Sequence, residues 1–161
     1  MSFICKTCGK EHDEWPPDFA FGRPDEVFAL PADERATRAR ESDDFCMLDE
    51  NRFFIRTVLH IPLHERSGEQ WGLGLWVEVS EANGRRYYEL YDVDASNEPG
   101  FTGRIANAVA YFPDSLGAEV QVKLGPASKR PTLWFDGEAG NSLARAQVSG
   151  LSDVEVHDAL G

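Results

Sequence analysis

The sequence predicts an α+β fold, an antiparallel sheet of about four strands with helices, preceded by a zinc-knuckle N-terminal segment. Three observations point there. Two long runs of alternating apolar residues, 53–61 and 71–79, flank a short polar loop. Two shorter strand-like stretches, 118–124 and 131–136, follow a helical pattern and precede another. A Cys-x-x-Cys string followed by a histidine stands near the start, ahead of a segment rich in proline and aromatic residues. The expected organisation is residues 1–50 as a zinc-knuckle and irregular or helical segment packed on the body, and 51–161 as the α+β domain.

Pro16, Pro17, Gly22 and Pro24 among Trp15, Phe19, Phe21 and Phe28 make 13–30 an irregular stretch anchored by aromatic rings. Pro31 opens a short helix with Asp33 and Glu34 in its first turn and Arg38 and Arg40 later, the charge order a helix dipole favours. Arg35, Arg38 and Arg40 read as its solvated face. From Arg52 the period becomes two. Phe53, Ile55, Thr57, Leu59 and Ile61 line one face, and Phe54, Arg56, Val58 and His60 the other, up to Pro62. After a polar loop, Trp71, Leu73, Leu75, Val77 and Val79 line a second strand opposite Gly72, Gly74 and Trp76. The two read as an antiparallel hairpin, and the glycines as points of close approach by a neighbour.

Ser80 is placed to cap a helix carrying Tyr87, Leu90 and Tyr91. Residues 93–103 read as loop, 104–112 fit neither period, and Phe112-Pro113-Asp114-Ser115 reads as a turn. Ala118, Val120, Val122 and Leu124 alternate as a third strand, and 131–136 form a fourth. The tail is helical from Asn141, broken at Gly150 and resumed near Ser152 or Asp153.

The chain has three cysteines, Cys5, Cys8 and Cys46, an odd number that cannot complete an internal disulfide framework. In Cys5-Lys6-Thr7-Cys8-Gly9-Lys10-Glu11-His12 the spacing turns both sulfurs to one side, and Gly9 lets the chain bend beneath them. The expected site is a structural zinc held by Cys5, Cys8, His12 and Cys46. Asp13, Glu14 or Asp44 could replace His12, and the apolar run Phe45-Cys46-Met47-Leu48 also fits a plain buried thiol. A redox Cys-x-x-Cys would open a helix beside a βαβ pattern, whereas 10–17 is polar and turn-like. A closed four-ligand site leaves no position for a catalytic water.

Other strings are weaker. His60 and His64 are four apart, but Pro62 between them opposes the helix that a zincin needs. Asp92-x-Asp94-x-Ser96 begins like a calcium loop, yet Asn97 and Gly103 stand where glycine and a bidentate glutamate are required. Arg56, inside an apolar strand, reads as paired to a carboxylate or as the anchor of a ligand. No Walker loop, G-x-S-x-G or dinucleotide fingerprint is present.

The formal net charge is −12, and residues 11–50 hold 13 acidic against 4 basic side chains. That field repels phosphate backbones, which argues against nucleic-acid binding, and speeds encounter with a basic protein. No apolar run approaches the ~20 residues that cross a bilayer. Met1–Lys6 lacks the charged and apolar parts of a signal peptide, so a cytoplasmic location is expected.

Several strings together resemble the uncharacterised bacterial domain-of-unknown-function family 2199, over nearly the whole chain. They are Cys5-x-x-Cys8-Gly9-x-x-His12, Glu34-Arg35-x-x-Arg38, Asp44-Phe45-Cys46, Asp49-x-x-x-Phe53-Phe54-Ile55-Arg56, Ile61-Pro62 and Trp71-Gly72-Leu73-Gly74-Leu75-Trp76-Val77. Met47-Leu48 departs from it, since an isoleucine-type residue is more usual before Asp49. The resemblance implies a bacterial cytoplasmic protein and joins Cys46 to the N-terminal knuckle, and it implies no activity. The functional expectation is a zinc-stabilised acidic protein-interaction module with a protein partner and no nucleic acid or membrane. The alternatives are an immunity- or antitoxin-like inhibitor of a basic toxin, or a small hydrolase with a cleft near Arg56, His60, His64 and Trp76. A thiol-redox role for Cys5 and Cys8 is a further alternative.

Overall fold

A computed structural model of the chain describes residues 3–4, 11–12, 19–65, 68–127, 129–136 and 140–160. Its strands are β1 (Phe3–Ile4), β2 (Glu11–His12), β3 (Phe19–Ala20), β4 (Ala39–Glu41), β5 (Phe45–Leu48), β6 (Arg52–Pro62), β7 (Gln70–Val79), β8 (Phe101–Ile105), β9 (Glu119–Lys123) and β10 (Thr132–Trp134). The helices are α1 (Asp25–Phe28), α2 (Ala32–Arg38), α3 (Glu81–Leu90), α4 (Ser142–Ser149) and α5 (Asp153–Leu160).

The predicted hairpin forms. β6 and β7 pair antiparallel along their whole length, from Phe53 opposite Val79 to Pro62 opposite Gln70. Their inward residues, among them Ile55, Leu59, Ile61, Trp71, Leu73, Leu75 and Val77, share one core. Full burial of each such side chain is worth about 1.5–3 kcal/mol, so this pair of strands supplies much of the driving force. Gly74 is a point of close approach, as its strand position implied. A Cβ there would stand 2.7 Å from the Ala20 Cβ of β3.

The expected antiparallel sheet of about four strands is not what forms. β7 passes through β8 and β9 to β10, and β10 returns to β6, closing a five-stranded barrel with three more strands outside it. The closing contact is parallel, Thr132 opposite Val58. Closure removes the free edges that an open four-stranded sheet would leave for other chains to pair with. β8 escaped the alternation test because Gly103 interrupts it. A Cβ at Gly103 would run into the Val77 side chain, so the glycine is what lets β8 lie against β7.

Each long strand divides its outer edge between two neighbours. Along β6, β5 pairs with residues 52–55 and β10 with Val58. Along β7, β3 runs parallel beside Leu73 and Gly74, and β8 antiparallel beside Val77 and Glu78. β4 and β5 form a hairpin on the rim of the sheet. A second, smaller core of Val27, Cys46, Leu48, Phe54 and Trp76 fills the outer face beneath α1 and this hairpin.

The helices follow their sequence signals. Pro31 precedes α2. Ser80 Oγ accepts a hydrogen bond from the Asn83 amide at 3.1 Å to cap α3. Asn141 Oδ1 caps α4 at 2.9 Å from the Ala144 amide, and Gly150, at φ 79°, ends that helix. Arg35 departs from the solvated face assigned to it. Its Nε donates to the Val27 carbonyl (3.1 Å), and its terminal amino group donates to the carbonyls of Phe28 (3.0 Å) and Leu30 (2.9 Å), closing the carbonyl end of α1. Among the described residues no helix is long and apolar enough to cross a membrane.

Candidate functional site

The turn of the β4–β5 hairpin is tight because three hydrogen bonds join Ser42 and Phe45, the Ser42 hydroxyl also donating to the Phe45 carbonyl at 3.2 Å. The Ser42 amide donates to the Phe45 carbonyl (2.8 Å) and the Phe45 amide to Ser42 Oγ (3.1 Å). This turn faces the C-terminal half of α3 across a groove of about 580 Å³. Phe45, Tyr87, Tyr88 and Tyr91 supply its aromatic surface, and Glu41, Asp43, Asp44 and Asp92 its carboxylates. Tyr87 and Tyr91 are one helical turn apart, with ring centroids 6.0 Å apart at 89°, and the Phe45 and Tyr88 rings are also 6.0 Å apart.

Asp44 organises the inner end. Its Oδ2 accepts from the Tyr91 hydroxyl at 2.8 Å, and its Oδ1 lies 3.3 Å from Arg130 Nε. The hydrogen bond to Asp44, and then the charge of that carboxylate, hold the Tyr91 phenol above its ordinary pKa. Burial, with the Asp44 charge second, does the same to Tyr87, whose hydroxyl has no hydrogen-bond partner among the described residues. Both phenols therefore stay protonated at neutral pH.

A second hollow, of about 490 Å³, lies on the other side of Asp44, lined also by Val58, His60, Lys129, Arg130 and Thr132. It marks the place where the edge of β6 passes from one neighbour to the other. The Arg56 amide bonds the Asp44 carbonyl (3.0 Å), while the Val58 amide bonds the Pro131 carbonyl (2.9 Å). Arg56 reads from sequence as paired to a carboxylate or as the anchor of a ligand, and no carboxylate pairs with it among the described residues. Instead its guanidinium donates to the Asp43 backbone carbonyl at 3.3 Å, and its Nε is buried without a partner among the described residues.

Of the expected zinc ligands, Cys5 and Cys8 lie outside the described residues. The backbone of His12 pairs with Phe3 in a short ladder, β1 against β2. Cys46 is 1% exposed and packed with Val27, Leu48, Phe54 and Trp76. Burial first, and the charge of Glu41 second, push its thiol up to about 12. No group of three or more metal-ligating side chains gathers among the described residues.

The four residues of the suggested hydrolase cleft are not brought together. His60 lines the second hollow, whereas His64 Nε2 lies 2.7 Å from the Ser149 carbonyl oxygen beside Gly150. Trp76 is buried in the outer core, with Nε1 donating to the Phe21 carbonyl at 3.0 Å. Sequence reasoning missed the groove itself. A signal for it existed, since three of the four tyrosines fall within 87–91 on a predicted helix.

The chain belongs to a family of uncharacterized proteins conserved in bacteria, DUF2199, which it matches over residues 4–151. No curated protein and no solved structure matches it.

Proposed function

We propose that the chain is an acidic protein-interaction module that docks a basic partner in the groove between the β4–β5 hairpin and α3. The groove carries the reading. Tyrosine rings offer flat, stiff contact area and a negative π-face to a cation, and four carboxylates line the same space. The −12 net charge adds long-range attraction for a basic surface. An inhibitor of a basic toxin is the narrower form of this chemistry, and the cytoplasm is the compartment it suits. The hydrolase alternative lacks support, because Arg56, His60, His64 and Trp76 do not share a cleft.

The test is calorimetric titration of the full chain with a lysine- and arginine-rich peptide, using an acidic peptide of equal length as control. The basic peptide binds, and its affinity falls as salt rises. The double variant Asp43→Lys/Asp92→Lys abolishes binding, and Tyr88→Ala weakens it about fivefold, the size of one exposed cation–π contact. Equal affinity for both peptides, or no loss in the charge-reversed variant, would refute the reading.

The N-terminal segment, in this proposal, is pinned by one structural zinc held by Cys5, Cys8 and His12, with Cys46 as fourth ligand. The antiparallel pairing of Phe3 with His12 and Ile4 with Glu11 supports it, since it brackets the stretch carrying Cys5 and Cys8. Phe21, which follows that segment, packs on the same cluster as Cys46. Zinc would supply the charge that stabilises thiolates in such apolar surroundings. Native mass spectrometry is expected to show one zinc per chain, lost in Cys8→Ser. Zinc kept at full affinity in Cys46→Ala would make Cys46 a plain core thiol.

A further inference from the structure

We propose that the fork where β5 and β10 part on the edge of β6 is an anion-binding site, taking the carboxylate or phosphoryl group of a small ligand. Two strands that share one edge of a third must diverge and leave a crevice between them, a concave place where a few polar groups can converge on a ligand. Here that crevice is the hollow of about 490 Å³ beside Asp44.

Its walls have the right chemistry. His60 comes from β6, and Lys129, Arg130 and the Thr132 hydroxyl come from the segment entering β10. Arg56 lies on the same face of β6 but does not line the hollow, its guanidinium turning to the Asp43 carbonyl. The single carboxylate of the hollow is already engaged. Asp44 Oδ2 holds the Tyr91 hydroxyl, and Oδ1 holds Arg130 Nε, so the terminal amino groups of Arg130 keep their hydrogens free of described partners. Lys129 forms no ion pair with any described residue. Thr132 Oγ1 accepts from Trp134 Nε1 at 3.3 Å, which leaves its own hydrogen to donate. In a chain of net charge −12, two cations, Lys129 and Arg130, thus share this hollow with one committed carboxylate. An oxyanion would meet donors from two strands, two of them charged, the arrangement that makes hydrogen bonds strong. Asp44 borders both hollows, but the donors proposed for the anion line only this one, and neither reading depends on the other.

The experiment is an amide-resolved nuclear magnetic resonance titration of the full chain with inorganic phosphate, then with acetate, at ionic strength held constant with sodium chloride. Saturable shifts are expected at the amides of 56–60 and 129–132 and at the ring protons of His60. Whichever anion saturates at lower concentration identifies the preferred group. Lys129→Gln should bind about tenfold more weakly, the loss of one charge-assisted hydrogen bond. Thr132→Val tests a second donor with the Asp44–Arg130 contact left in place, and should weaken binding about threefold, the loss of one neutral hydrogen bond. Shifts that rise linearly without saturation for both anions, that saturate elsewhere, or that are unchanged in both variants overturn the site.

Discussion

Asp49 and Glu50 turn the chain from β5 into β6 with φ of 53° and 65°, a left-handed conformation that side chains other than glycine rarely adopt. The guanidinium of Arg38 grips the Asp49 carboxylate with two bonds of 2.8 Å each, which accounts for how this turn is held and for the pairing of two strings set 11 residues apart. That hydrogen bonding keeps the Asp49 carboxyl below its usual range, and the bonds from Ser142 do the same for Asp114 at the start of α4. A carboxyl depressed in the folded state adds stability that is present above its unfolded pKa of about 4. The contribution disappears as pH falls through the lower, folded value. Urea denaturation should therefore show a midpoint that drops between pH 5 and pH 2.5, and a smaller drop in Asp49→Asn/Asp114→Asn. Equal drops in the two proteins would contradict this role.

At the scale of elements, what was legible depended on contacts near in sequence. The β6–β7 hairpin could be read because both strands alternate and a short loop joins them. Ser80, Asn141 and Gly150 announced helix ends because capping is local chemistry. The barrel could not be read so directly. Its closing pair, Thr132 opposite Val58, is parallel and far apart in sequence, and another parallel contact, β3 on β7, is two residues long. The β4–β5 hairpin was hidden because Phe45-Cys46-Met47-Leu48 is buried on one face and half-buried on the other, and so shows an apolar run instead of alternation. Gly74 tests how closely β3 is seated. Gly74→Ala places a methyl within 2.7 Å of Ala20 Cβ and should cost about 1–3 kcal/mol by denaturant unfolding. A neutral effect would mean that β3 lifts away without loss.

Across the whole molecule, the split edge of β6 sets two hollows on either side of Asp44, one lined by aromatic and acidic side chains, the other by basic ones. Composition revealed the acidic excess of residues 11–50, but not that Glu41, Asp43 and Asp44 share a groove with the tyrosines of α3 and of the residue after it, much later in the chain. His60 and Arg56 were singled out from sequence, whereas Lys129 and Arg130 drew no notice because only barrel closure brings them beside β6. The most direct measurement is a chemical-shift map of the basic peptide on the folded chain. Shifts concentrated at residues 40–45 and 87–92 are predicted. Shifts spread over the acidic surface, or centred on the far side of the barrel, would contradict the groove as the docking site.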